Sequence, residues 1–386
     1  MQSSFPFMSA GFRPMFLLAT IWAAASLGLW ILMISGTVSW DMPWSQLDWH
    51  VHELLFGFGN TVLCGFLLTA IPNWTGRTPI SGAPLGGLIV AWALGRWAVT
   101  YDIGAGPVFL ATQDLLFPLL FTLLAAREVF AASNRRNYVV IGLVAAFLLA
   151  NGVFHIEAAR EGAASFGYGV RAGLALILMM LSLIGGRIIP AFTRNWMNAR
   201  SLSPAPKQFS TFDAATLVTS GATMAIWTVT PDQPVTGAAL LMTAAMQLLR
   251  LSRWRMFAVR PEPMLMMLHV AYAFIPLGFL LVGLATFLPE IPITAGLHAW
   301  TAGAIGTMTL TVMTRASLGH SGLPLMSGWA ERILLTSLPI AALLRIAATV
   351  LTDAPALLHL SAAFWILGFG LFAVRFAPIM FAPRAK

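Results

Sequence analysis

The stretch DWHVHELLFGFGNTVLCGFLLTAI, residues 48–71, decides how the chain is read. Beyond its charged opening it is apolar or small for about twenty positions, the length that crosses a hydrocarbon core of roughly 30 Å at roughly 1.5 Å per residue. It lacks the alternation of a strand, and lipid offers backbone groups no outside partner, so it reads as a membrane helix. Similar runs continue on both sides. Of the 386 residues 58% are hydrophobic and only 9% charged, more apolar surface than a soluble domain of this length buries. The expected fold is all-α and polytopic: a single bundle of about twelve transmembrane helices near residues 14–35, 49–71, 83–100, 107–126, 137–156, 167–190, 211–229, 235–250, 264–288, 294–314, 332–351 and 355–377. One domain is expected over 1–386 with no separate soluble domain, the longest connection being 191–210.

The net charge of +8 raises the question of nucleic acid, and the distribution of charge answers it. Eighteen of the twenty-two basic residues fall on one side of these spans, among them Arg13, Arg127, Arg187, Arg250, Arg315 and Arg375. The other side holds Arg96, Arg160, Arg171 and Arg345 with ten of the fourteen acids. The positive-inside rule puts both termini in the cytoplasm, and a lipid bilayer rather than nucleic acid is the partner implied. The single cysteine, Cys64, excludes an intramolecular disulfide, and there is no C-x-x-C-H signal for covalent haem. The first apolar run is long enough to span, so it reads as a helix rather than a cleaved signal. Gly57, Gly59 and Gly65, Gly185 and Gly186, and Gly303 and Gly306 allow close helix packing; the alternative is room for a flat cofactor.

Topology sorts the seven histidines. His50, His52, His155, His298 and His359 come near the non-cytoplasmic surface on four spans, whereas His269 and His320 lie toward the cytoplasmic side. Imidazole suits haem iron, copper and zinc, and ionisable groups inside membranes tend to be functional, so an outer metal or haem site is expected from the five. His50 and His52 are rotated by about 200° on one helix and should not chelate one metal together. Glu53, three residues beyond His50, is placed to orient its ring or carry a proton. His298 and His320 are about 33 Å apart along a helix, which makes His269 with His320 a candidate second centre. Arg187, Arg194 and Arg315 are there to pair with propionates, or they are simple interface anchors. Asp114, Asn60, Asn151 and Gln113 are further polar residues in or near spans, lining a proton route or bridging helices.

The segments GFRPMFLLA (11–19), WHVHELLFGF (49–58), GFLLTAIPNWTGR (65–77), GGRIIPAFTRN (185–195) and LHAWTAGAIGTMTLTVMTRASLGHSG (297–322) resemble the NnrS family of bacterial inner-membrane proteins. The resemblance spans most of the chain. It implies twelve helices in the inner membrane, haem and copper, and a link to denitrification and nitric oxide stress. It marks His50, His52, Glu53, His269, His298 and His320 as the ligand set. His155 is favoured by depth, and His359 rests on position alone. The haem it implies is non-covalent and b-type.

Function follows as an expectation: a haem- and copper-binding membrane protein that binds, scavenges or turns over nitric oxide at histidine-ligated centres. NO is small, neutral and soluble in lipid, and ferrous haem and copper both bind it. One alternative is an oxidoreductase resembling nitric oxide reductase, with its own electron donor. It differs from haem–copper oxidases, whose H-x-H pair comes late in the chain and which add an adjacent His–His pair. A second alternative is a haem or metal transporter.

Overall fold

The computed structural model describes residues 5–351 and 353–385. Fourteen α-helices run in the order α1 (Phe12–Ile34), α2 (Gln46–His52), α3 (Phe58–Thr75), α4 (Ala83–Thr100), α5 (Gly106–Ala131), α6 (Tyr138–Glu161) and α7 (Tyr168–Asn198). They continue as α8 (Thr211–Val229), α9 (Pro234–Ser252), α10 (Pro263–Ala285), α11 (Ile293–His298), α12 (Thr307–His320), α13 (Trp329–Val350) and α14 (Ala356–Phe381). Among the described residues there is no strand. Two π-helical segments, Glu53–Gly57 and Ala299–Gly306, carry the chain without interruption from α2 to α3 and from α11 to α12. The fourteen helices therefore make twelve rods.

Ten of these rods are long and apolar enough to cross a membrane. The other two are α8 and the rod of α11 and α12. Their apolarity is diluted by polar groups turned inward: Asp213, Thr216, Ser220 and Thr223 on α8, and Thr307, Thr309, Thr311 and Thr314 along α12, are all buried. The helix ends obey local chemistry. Ser45 caps α2 by accepting the Asp48 N–H at 3.1 Å. Proline opens α4, α5, α9 and α10, where its missing N–H costs nothing. Gly76, at φ 72°, turns the chain out of α3 in the left-handed region. One expectation is corrected: α7 runs on to Asn198, so the connection expected over 191–210 begins at 199. Hydropathy marks where the apolar run stops, whereas the backbone hydrogen bonds of a helix continue past it.

The chain divides into two compact units. The first is Met1–Leu176, Ala316–Leu325 and Phe369–Lys386, the second Ile177–Arg315 and Met326–Gly368. In the first, α1 packs on α3, α4 on α5 and α5 on α6. Arg13 ties its two ends together: Nη1 donates to the carbonyls of Ile379 (3.2 Å), Met380 (2.7 Å) and Ala382 (2.6 Å), at the end of α14, where helical partners run out. In the second, α9 packs on α8 and α10, and α13 lies along α11 and the π segment that follows it. The small residues are filled positions. A Cβ on Gly65 would strike Phe16, on Gly303 Phe274, and on Gly306 Trp365, so at these three the structure contains close packing.

Candidate metal centre

The H-x-H segment is fixed from its start. Asp48 is buried and bolts α2 to the loop before α7: its Oδ1 accepts the N–H groups of Ala164 (3.0 Å) and Ser165 (2.7 Å) and the Ser165 hydroxyl. With α2 so held, the two histidines go to different neighbours. His50 stacks on Trp30 of α1, ring centroids 3.9 Å apart and planes 19° from parallel. His52 points the other way, into the interior of the first unit, and is completely buried.

Around His52 four helices contribute polar side chains. Its Nδ1 lies 2.8 Å from Glu53 Oε1, and its Nε2 lies 3.1 Å from Asp114 Oδ2 and 3.0 Å from Asn151 Oδ1. The His155 Nε2 is 2.9 Å from the same Asp114 oxygen, to which the Asn151 amide also donates at 2.8 Å. Arg96 of α4 completes the set, donating through Nη1 to Glu53 Oε1 at 2.7 Å and through Nη2 to Asp114 Oδ1. Trp22 donates to Glu53 Oε2 at 2.6 Å. Gly57 is required here, since a Cβ would collide with both the Arg96 guanidinium and the Glu53 carboxylate. The π segment that begins at Glu53 is the local backbone departure that such sites often carry.

The donor and acceptor inventory has a consequence. Both ring nitrogens of His52 face oxygen acceptors, a pattern satisfied when both carry protons. Two carboxylates then balance one guanidinium and one imidazolium, which is how buried charge becomes tolerable. A cation can replace the protons. One ligand atom each from His52, Asp114 and His155 lie within 4.8 Å of one another, and all three residues are buried. Two imidazoles with a carboxylate suit iron, copper or zinc, and a carboxylate on the far nitrogen of a ligating histidine fixes its orientation, the position of Glu53.

The other expected residues are placed as follows. His298 donates Nδ1–H to the Thr294 carbonyl at 2.7 Å, so its Nε2 carries the lone pair. His269 is buried, with Nδ1 3.0 Å from the Leu265 carbonyl and Nε2 3.4 Å from the Thr193 hydroxyl. His320, exposed and beside Phe12, belongs to the first unit, whereas His269, His298 and the exposed His359 belong to the second. Arg315 lies over the Phe192 ring at 4.4 Å, Arg194 donates to the Pro206 carbonyl at 3.1 Å, and Arg187 is half-buried. Glu53, expected beside His50, turns to His52, because a carboxylate one residue on reaches a ring that points inward with it.

Arg96 was readable only as a basic residue on the acidic side, and Asp114 only as an undecided polar one. The available signal was opposite charge inside consecutive apolar spans joined by a short turn, which makes them antiparallel neighbours. Arg250, counted in the sequence only among the basic residues of one side, is fully buried. It donates to Asp213 Oδ1 at 3.0 Å, to the Ser182 carbonyl at 3.1 Å and to the Tyr272 hydroxyl at 2.9 Å.

The family model described as NnrS protein matches residues 6–384, nearly the whole chain. The chain belongs to the NnrS family. No curated protein and no solved structure matches it. Two of the segments by which it resembles the NnrS family now have physical roles. GFRP supplies the Arg13 cap on α14, and WHVHE supplies His52 and Glu53 to the buried cluster.

Proposed function

We propose that this NnrS-family membrane protein binds a metal ion through His52, Asp114 and His155 and uses histidine-held metal to bind, scavenge or turn over nitric oxide. The observation that carries the reading is the convergence of three ligand atoms within 4.8 Å at a buried point, with Glu53 already on the far nitrogen of His52. Copper fits the two imidazoles and carboxylate. For haem, His298 is the proposed ligand, since its Nδ1–H is committed to Thr294 and its Nε2 has the lone pair that iron takes. His50, His269 and His320 remain in the proposed ligand set on the strength of the family resemblance, with Arg187 and Arg315 as partners for propionates. The protein is proposed to sit in the bacterial inner membrane with both termini in the cytoplasm.

When bound, the metals supply an open coordination position for NO. What this chain's own groups do is hold and move protons. His52 keeps its Nδ1 proton on Glu53, Asp114 gathers donors from His155, Asn151 and Arg96, and Trp22 holds the second Glu53 oxygen. That store favours a second reading, a redox enzyme resembling nitric oxide reductase. Reduction of two NO to N₂O and water consumes two protons and two electrons, the electrons coming from a separate donor.

The test is metal and haem content of the purified protein, with His52→Ala, Asp114→Ala and His155→Ala. Each variant is expected to lose the same metal ion while a Soret band, if present in the wild type, persists. Uptake of Zn(II) should release one proton, from the His52 nitrogen that turns to the metal. Full metal retention in all three variants would sink the proposal, and anaerobic NO consumption with an electron donor would separate turnover from binding.

A further inference from the structure

The buried cluster does not face only packed side chains. A cavity of about 260 Å³ opens beside it, lined by Pro43, Trp44, Tyr101, Asp102, Leu110 and His155 among others. Its walls are the turn between α4 and α5, the segment before α2 and the end of α6. One residue belongs to both cavity and cluster: His155 lines the cavity while its Nε2 sits on Asp114. Trp44 also lines the cavity and packs beside the cluster. Its ring lies 4.8 Å from that of His52, 5.2 Å from that of His155 and 5.1 Å from that of Phe154. On other sides His52 meets the rings of Phe56 and Phe154.

We infer that this cavity is the loading vestibule of the centre: a hydrated metal cation enters it from water, meets His155 first, and passes Trp44 to reach His52 and Asp114. This inference rests on the metal-binding reading above and adds the route and the state in which the cation arrives. The volume fits that state. At about 30 Å³ per water, the cavity holds roughly eight waters, enough for an ion with a first hydration shell. A hydrated cation cannot come through lipid, where charge costs several kcal/mol to bury. Asp102 adds a negative charge at the exposed rim. Trp44 stands on a connection rather than a helix, so its ring is displaced by rotating a side chain without breaking helical hydrogen bonds.

The experiment uses the full chain in detergent and Cu(II) as the probe. Ala159 lines the cavity and is exposed, and the only native cysteine, Cys64, is buried, so Ala159→Cys offers one reactive thiol. Cu(II) uptake is followed by electron paramagnetic resonance before and after that thiol is coupled to a bulky maleimide. Labelled protein is expected to load about tenfold more slowly, to the same final stoichiometry, as a blocked gate predicts, and Trp44→Ala is expected to load faster. Equal rates before and after labelling overturn the vestibule. If wild-type and unlabelled protein never acquire a histidine-coordinated Cu(II) signal, the metal centre itself falls and the vestibule with it.

Discussion

In the first unit Arg96 is buried against Glu53 and Asp114; in the second, Arg250 is buried against Asp213. Both pairings meet the same electrostatic demand, because a guanidinium away from water must have a carboxylate and further hydrogen-bond acceptors. The remaining partners differ. Arg250 donates also to a phenol and a backbone carbonyl, and Tyr272 passes on to Gln247 at 2.7 Å, which donates to Ser220 at 2.8 Å. None of these groups binds metal well. Arg96 shares its carboxylates with two imidazoles, groups that exchange a proton for a cation near neutral pH. A buried arginine with a carboxylate is thus a structural solution in both places, and only the added histidines turn one of them into a candidate centre.

The comparison can be broken by substitution. The largest effect is expected from Asp213→Ala, which leaves Arg250 charged and uncompensated and should cost about 3–5 kcal/mol of stability. Thermal unfolding should show it, while the metal bound per folded molecule stays unchanged; loss of metal would mean that the second network is more than structural. Next comes Glu53→Gln, which removes the carboxylate behind His52 and should weaken metal binding by about 10–100-fold. A competition titration with a chelator would measure this, and an unchanged affinity would separate Glu53 from the centre. Smallest is Ser45→Ala. Loss of the cap on α2 should cost about 1 kcal/mol, with a modest fall in metal retention.

Sequence reading reaches the helices well and the centre only in part. Ten of the twelve rods are legible as apolar runs long enough for the bilayer, and α8 and the rod of α11 and α12 are legible despite the polar groups they turn inward. The opposite facing of His50 and His52 is legible too, since it follows from helical rotation alone. The meeting of His52 with His155 is not. Their residues are 103 positions apart on different helices, and depth in the membrane says that two groups share a layer without saying that they share a neighbour. Arg96 and Asp114 are hidden for a related reason: charge counting assigns residues to sides of a membrane, and a paired charge inside the protein belongs to neither side. Arg250 is hidden in the same way, since a charge count does not distinguish a buried pair from a surface charge.

The Arg13 cap has a consequence in time. The helix that carries Arg13 is made before α14, and the carbonyls that satisfy it belong to residues made more than 360 positions later. Until α14 has been inserted, the Arg13 guanidinium has none of these acceptors, so the bonds that close the first unit are among the last to form.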